Sequence, residues 1–450
     1  MLKPYRKPVL VGAATAVAAL TLAPSAHASP AYAPAAPAAP AAPSALGLDG
    51  SGECTFPMKQ QIEGRPWSLQ RVLFDELWQD TKGKGVRVAV IDTGVDIANP
   101  QLKPAVDAKS GADYLKPEKD GNGEQNDKRG KTGGTVDEVG HGTKVAGIIA
   151  ARPRAGTGFV GLAPEATIIP IRQNDEKNSG KTDTMAKAID HAIDQHADVI
   201  NISQDTTEPQ GPNSDLAKAV RRALDKQIVV VASAGNDGMD GKLKETYPAA
   251  FPGVLAVASS DRNNERAVFS QPGTFVGVAA PGVDIVSTVP GNGQCSDNGT
   301  SFSAPYVAGV AALLRAKYPY AKTRWTAAQI IARIEQTAER SVNGHDNFVG
   351  WGVVDPVRAV TDDSPPEEAA HPDPGPPRAQ APNVTALALS ETPQERNERY
   401  ATYALGIGAL LVAVVAGTAT VIRDSRRRAA RGLNGSTGPA GPTGSTGSTA

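Results

Sequence analysis

Between residues 66 and 362, short apolar runs alternate with stretches whose apolar positions recur every three or four residues. The runs are Val86–Ile91, Thr167–Ile171, Asp198–Ile202, Ile228–Ala232, Val254–Ala258 and Ile285–Val289. Each is rich in valine or isoleucine, too short for a helix and apolar without alternation, which predicts strands buried on both faces. Thr182–Ala197 sets Met185, Ala188, Ile189, Ala192 and Ile193 on one helical face, and Ser214–Lys226 does the same with Leu216, Ala217, Val220 and Leu224. Thr143–Ala151 and Phe302–Ala316 are apolar nearly throughout and predict buried helices. Strands alternating with helices predict an α/β domain, a parallel sheet covered on both faces. Some 300 residues suffice for a full hydrophobic core, so the fold needs no disulfide framework.

The pattern changes at both ends. Lys3, Arg6 and Lys7 precede an apolar stretch, Val9–Leu22, and Ala26-His27-Ala28 supplies small residues for cleavage. That order predicts a signal peptide over residues 1–28. An uncleaved anchor is the alternative, and the short apolar stretch closed by Pro24 weighs against it. Residues 29–65 read as an Ala/Pro-rich spacer and N-terminal extension, 66–362 as the folded domain, and 363–400 as a Pro-rich linker. Residues 401–422 carry no charge; at about 1.5 Å per residue they span roughly 33 Å, enough for a bilayer core. A helix buried in a soluble core is the bland reading, and the polar flanks on both sides oppose it. Arg423, Arg426, Arg427, Arg428 and Arg431 follow the segment, and basic flanks stay in the cytoplasm. Residues 423–450 are therefore expected inside, the domain outside, and the protein single-pass in the cell membrane.

Charge removes one class of function. With 46 basic and 47 acidic residues the chain is nearly neutral and has no electrostatic footprint for nucleic acid. Cys54 and Cys295 are the only cysteines. An exported location permits a bridge between them, which would tie the N-terminal extension near residue 301; free thiols are the alternative. Asp120-Gly121-Asn122-Gly123-Glu124-Gln125 looks like part of a calcium loop, but Gln125 replaces the required glycine and Lys131 falls where a glutamate belongs. Residues 103–139 read instead as a polar surface insertion that could bind a partner.

The chemistry lies in three runs. Val88-Ala89-Val90-Ile91-Asp92-Thr93-Gly94 offers a carboxylate at a strand end. Gly140-His141-Gly142-Thr143 offers an imidazole at a helix start, and Asn298-Gly299-Thr300-Ser301-Phe302-Ser303-Ala304-Pro305 a hydroxyl beside another. Asp, His, Ser is one of the chain orders in which serine-hydrolase triads occur. Each residue has a plainer reading. Ser301 could cap its helix, Asp92 could cap a turn with Asp96 as the rival carboxylate, and a lone histidine is more often structural. His191 and His196 fall on one helix at a spacing that separates their faces, while His345 lies in a loop. Together the three runs carry more weight than singly, because each occurs once on a pattern able to gather them at the carboxyl ends of strands. Asn236 in Ser233-Ala234-Gly235-Asn236 follows another strand and adds an amide donor for an oxyanion.

These runs resemble the three signatures of subtilisin-like serine proteases, and the resemblance covers residues 83–360. The export signal, Pro-rich stalk, C-terminal membrane helix and basic tail, with Arg65-Pro66-Trp67-Ser68-Leu69-Gln70-Arg71, resemble the mycosins, membrane-anchored subtilases of type VII secretion systems. The resemblance implies a three-layer sandwich around a seven-stranded parallel sheet, a charge-relay set of Asp92, His141 and Ser301, and Asn236 in the oxyanion hole. It also implies a peptide substrate added as a strand beside Ser203-Gln204-Asp205, and secretion-complex components as partners. No cofactor is implied for the reaction, although many subtilases carry structural calcium. Asp205 departs from the usual glycine; a carboxylate there would favour basic or reject acidic substrate residues, unless it is only part of a surface loop. Lys144 departs from the usual His or Ala without an evident effect on the chemistry. A folded inhibitory prodomain is missing, and 52–64 would wrap the body without blocking the site. A scaffold with dispensable activity and a general surface protease are the rival functions. An ester hydrolase is disfavoured because no Gly-x-Ser-x-Gly elbow surrounds Ser301.

Overall fold

The computed structural model describes residues 54, 56–58, 61–117, 129–175, 180–373 and 393–432. The expected signal peptide, the Ala/Pro spacer up to 53, the Asp120–Gln125 run, linker residues 374–392 and tail residues 433–450 lie outside them. The chain forms two units that divide after Asp373.

In the first unit, two short helices, α1 (Trp67–Gln70) and α2 (Phe74–Leu77), lead into β1 (Arg87–Asp92) and β2 (Ala112–Asp113). Next come α3 (His141–Ala150), β3 (Thr167–Arg172), α4 (Thr182–Asp194), β4 (Val199–Ile202), α5 (Asp215–Asp225) and β5 (Val229–Ser233). Strands β6 (Leu255–Ser260), β7 (Val276–Pro281), β8 (Ile285–Thr288) and β9 (Gln294–Asp297) precede α6 (Thr300–Lys317). Helices α7 (Tyr320–Thr323), α8 (Ala327–Gln336) and α9 (Pro356–Thr361) complete the unit. Strands β1 to β7 form one seven-stranded sheet in the order β2-β3-β1-β4-β5-β6-β7, and every pairing in it is parallel.

The strands are apolar on both faces because the sheet has two cores. Val88, Val90, Val199, Val229 and Val231 point to the face covered by α3 and α6. Their neighbours Ala89, Ile91, Ile200, Val230 and Ala232 point to the face covered by α4 and α5. Successive strand side chains alternate between faces, so a run without polar positions feeds both cores. Full burial of one such valine or isoleucine contributes about 1.5–3 kcal/mol. The three-layer α/β architecture follows.

The segment Ile285–Val289 holds a buried strand as expected, β8, but not in the expected sheet. This segment is outside the parallel sheet, because Pro290-Gly291-Asn292-Gly293 turns the chain back at once and β8 pairs antiparallel with β9. The last place in the sheet belongs to β7, whose Gly277 and Pro281 weaken its strand signal and suit an edge position. Helix α4 ends at Asp194, so His196 lies past it with φ at 56° rather than sharing the helix with His191. In the second unit a single helix, α10 (Pro393–Gly432), extends beyond both ends of the 401–422 span. It is long and apolar enough to cross a membrane.

Cys54 and Cys295 form a disulfide with Cα atoms 5.9 Å apart across 241 residues of sequence. The bridge anchors the N-terminal extension along the β8–β9 hairpin. There Met58 N–H donates to the Asn292 carbonyl (2.9 Å), Ile62 N–H to Gln294 Oε1 (3.0 Å) and Trp67 Nε1 to the Val283 carbonyl (3.0 Å). Closing so long a loop removes much unfolded-chain entropy. Cys54→Ser should destabilise the domain by about 2–5 kcal/mol, read as a lower Tm in a thermal melt. An unchanged Tm would mean that the extension's hydrogen bonds alone hold it.

Candidate active site

Asp92 ends β1 where the sheet changes direction, with β3 on one side and β4 on the other. Crevices outside the carboxyl ends of strands at such a switch point are where α/β sheets bind ligands. Asp92 is fully buried. Its Oδ1 accepts the Thr93 N–H (2.7 Å) and lies 2.7 Å from His141 Nδ1. An ionised carboxylate only accepts, so the proton is on Nδ1 and Nε2 keeps its lone pair. Asp96, the rival carboxylate, instead accepts from the N–H groups of Ala98 (3.0 Å) and Gly291 (2.5 Å).

The imidazole reaches Asp92 because α3 starts at His141, against the end of β1. Gly142 permits that approach: a Cβ on it would lie 2.1 Å from the Gly94 carbonyl oxygen and 3.0 Å from the Asp92 Cβ. Asp137, which sequence reasoning passed over, holds the joint together. Its Oδ1 accepts the Thr93 hydroxyl (2.9 Å) and the Gly140 N–H (2.8 Å). Its Oδ2 accepts the Thr143 N–H (2.8 Å) and hydroxyl (2.6 Å). Thr93 Oγ1 in turn accepts the Gly142 N–H (2.9 Å). One buried carboxylate thus binds the strand end to the helix start. Burial pushes its pKa up, against the pull of the Thr143, Gly140 and Thr93 donors. An acidic residue four positions before the histidine, near a helix N-terminus, was the signal available in the sequence.

Ser301 is the second residue of α6, and Gly299 occupies the cap position, so the N-cap reading of this serine does not hold. Its hydroxyl donates to the Ser203 carbonyl (3.2 Å) and makes no hydrogen bond to His141 among the described residues. Ser203 returns the contact, donating its own hydroxyl to the Ser301 carbonyl (2.9 Å). Pro305 explains why that carbonyl is free. An ordinary residue there would donate its N–H to Ser301 four positions back, and proline has none. Asn236 joins the same helix end, with its Oδ1 accepting the Thr300 N–H (3.0 Å) and hydroxyl (3.0 Å). The backbone N–H can only donate, so the atom it meets is the amide oxygen. The NH2 of Asn236 remains available to an oxyanion.

His141, Ser301, Ser203, Gln204 and Asp205 line one cleft of about 900 Å³. Gln204 Oε1 accepts from Gln173 Nε2 across it. Asp205 sits on an exposed rim, yet the protein packs around its carboxyl; that burial, with the like charge of Asp237, pushes its pKa up to about 6. None of the described residues before Trp67 lines the cleft. His191 and His345 bond the carbonyls of Ser110 (2.9 Å) and Val276 (2.6 Å) and are structural.

Lys144 has more consequence than its sequence position implied. It is buried, and its Nζ lies 2.7 Å from Asp297 Oδ2 and 6.0 Å from the centre of the Phe302 ring, which itself lies 5.3 Å from the His141 ring. The His141 pKa reflects opposing influences. Burial lowers it, the charge and hydrogen bond of Asp92 raise it, Lys144 lowers it, and Asp137 raises it; the net direction is up from 6.5.

The comparisons agree with this geometry. Residues 83–352 match the sequence profile of peptidase S8, the subtilase family. The chain belongs to that family and is a subtilisin-like serine endopeptidase. Within it the kinship runs to the mycosins: the chain is 36% identical to Mycosin-4 of Mycobacterium tuberculosis, covering 80% of this chain and 82% of that protein. It is also 37% identical to a thermophilic serine proteinase of Bacillus sp. (strain AK1), over 68% of this chain and 69% of that one. Among solved structures, MycP1 of the ESX-1 type VII secretion system matches with a TM-score of 0.59 and 31% identity, over 70% of this chain and 90% of that one. An intact ESX-5 inner membrane complex contains a chain matching at 0.60 and 32%, over 84% and 94%.

For His141 to accept a proton it must be neutral, so as a general base its raised pKa would move the acid limb of the pH profile upward. The acid limb of kcat/KM, which reports the free enzyme, should have an apparent pKa above 6.5. Lys144→Met should move it higher, and Asp297→Asn, which leaves the Lys144 charge uncompensated, should move it lower. Limbs that coincide in all three proteins would show that His141 does not feel this pair.

Proposed function

We propose that this chain is a membrane-anchored endopeptidase working outside the cytoplasm beside a type VII secretion complex, with Asp92, His141 and Ser301 as its catalytic set. The observation that carries the reading is the 2.7 Å contact of His141 Nδ1 with buried Asp92, in one cleft with Ser301. The Ser301 hydroxyl turns from the Ser203 carbonyl to His141 Nε2 and gives up its proton there as its oxygen attacks a peptide carbonyl. The oxyanion takes hydrogen bonds from the Asn236 NH2 and the Ser301 N–H at the start of α6, where the helix dipole favours negative charge. His141 then protonates the leaving amine, and water releases the acyl-enzyme by the reverse route. Asp92 keeps the tautomer and stabilises the imidazolium. These steps draw on side chains and backbone amides of this chain alone. The peptide lies along Ser203–Asp205.

The remaining parts of the reading concern location. Residues 1–28 direct export and are removed, α10 anchors the protein, and the arginines after 422 keep the tail in the cytoplasm. Similarity to Mycosin-4 and to a chain of an ESX-5 inner membrane complex supports secretion-complex subunits as partners. A fluorophosphonate probe tests the catalytic part. The native protein should be labelled and Ser301→Ala should not; labelling of both, or of neither, would sink the assignment of Ser301.

A further inference from the structure

At the substrate edge of the cleft stands a carboxylate with no paired cation among the described residues. Asp205 is two residues beyond Ser203, whose carbonyl holds the Ser301 hydroxyl. Its Oδ2 lies over Gly235, where a Cβ would come within 3.2 Å, and Gly235 precedes Asn236. The carboxylate therefore occupies the space between the substrate edge and the loop carrying the oxyanion donor. Among the described residues it has no hydrogen bond or ion pair, and the charge it feels is that of Asp237, which has the same sign.

The other charges of the cleft differ from it. Asp175 is paired with Arg129. Asp183 belongs to the first turn of α4, where the helix dipole favours an anion. Glu208 adds a further negative charge, and Lys181 is the one cation among the described residues that line the cleft. A peptide lying along Ser203–Asp205 brings the side chain next to the attacked carbonyl into the space beside Asp205. An acidic side chain would meet an unscreened like charge there. A lysine or arginine would supply the missing partner, and an aliphatic one would leave the carboxylate desolvated and alone.

We propose that Asp205 recognises a lysine or arginine side chain on the acyl side of the scissile bond and makes this enzyme select basic over acidic residues at that position. The inference rests on the triad reading above and deepens it by naming the substrate class.

The test uses the full-length protein in detergent at pH 8 and a set of otherwise identical peptides carrying Arg, Leu or Glu at that position. The native enzyme should favour Arg over Glu in kcat/KM by more than about tenfold, or about 1.4 kcal/mol. Raising ionic strength should shrink the ratio. Asp205→Asn should bring it near unity, and Asp205→Lys should reverse it. Parity in the native enzyme, or an equal preference in Asp205→Asn, would overturn the proposal. If the native protein cleaves no peptide and takes no fluorophosphonate, it is the triad reading that fails. A labelled native protein with no charge preference refutes the role of Asp205 alone.

Discussion

The site depends on how closely the start of α3 can approach the end of β1. A carboxylate buried without partners costs several kcal/mol, and Asp92 is fully buried with no hydrogen-bond partner for Oδ2 among the described residues. What stabilises it is the Thr93 N–H and the His141 ring on Oδ1. The imidazole reaches that oxygen only because Gly142 lets two backbones pass at a distance no Cβ could tolerate. The contact that orients the imidazole is therefore the same contact that makes the buried acid tolerable. Asp137 makes the arrangement rigid by accepting donors from both sides of the joint. Those hydrogen bonds oppose its desolvation, which still dominates and keeps its pKa raised.

A second coupling joins Ser301 to Ser203. Pro305 removes one helical N–H, and the Ser203 hydroxyl supplies the donor that the Ser301 carbonyl lost. Ser203 is itself held by the Asn201 side chain at 2.9 Å, and Asn201 belongs to β4, beside β1. The strand next to the acid thus also positions the edge along which a peptide would lie. With Asn236 fixed by Thr300, the first turn of α6 is tied to two different strand ends. A helix start pinned in this way holds Ser301 at the cleft in a fixed position, and a fixed helix N-terminus is what electrostatic stabilisation of an oxyanion requires.

The parts legible in the sequence were those with a strong local signature. Apolar runs rich in Val and Ile disclosed β1, β3, β4, β5 and β6, because burial on both faces leaves few polar positions. Asp92, His141, Ser301 and Asn236 stood out as candidates from the small residues around them at element ends. Three kinds of feature were not. Strand β7 is built on glycine, alanine and proline, and its identity comes from its neighbour β6 rather than from propensity. The β8 segment has a strand's composition but takes its place from the turn after it. The roles of Asp137 and Lys144 lie in contacts that only the fold creates: polar residues near a helix start give no hint of which distant strand or loop they will touch.

Lys144 illustrates how such a contact can matter both mechanically and electrically. A buried ammonium is costly unless paired, and its partner Asp297 ends β9, three residues before α6 begins. The Asp297 carboxylate also accepts the N–H of Asn298 at 2.8 Å, through its other oxygen. The ion pair therefore clamps the helix that begins at His141 to the loop leading to Ser301. The same helix receives hydroxyl contacts from β8, where Ser287 bonds the Lys144 carbonyl (2.6 Å) and Thr288 the Thr143 carbonyl (2.9 Å). Through Cys295 the disulfide attaches the N-terminal extension to the other strand of this hairpin. Base helix, hairpin and extension thus form one braced body. The charge that completes the brace pulls the His141 pKa down while Asp92 pulls it up, leaving the base between opposing fields whose balance either partner of the pair can shift.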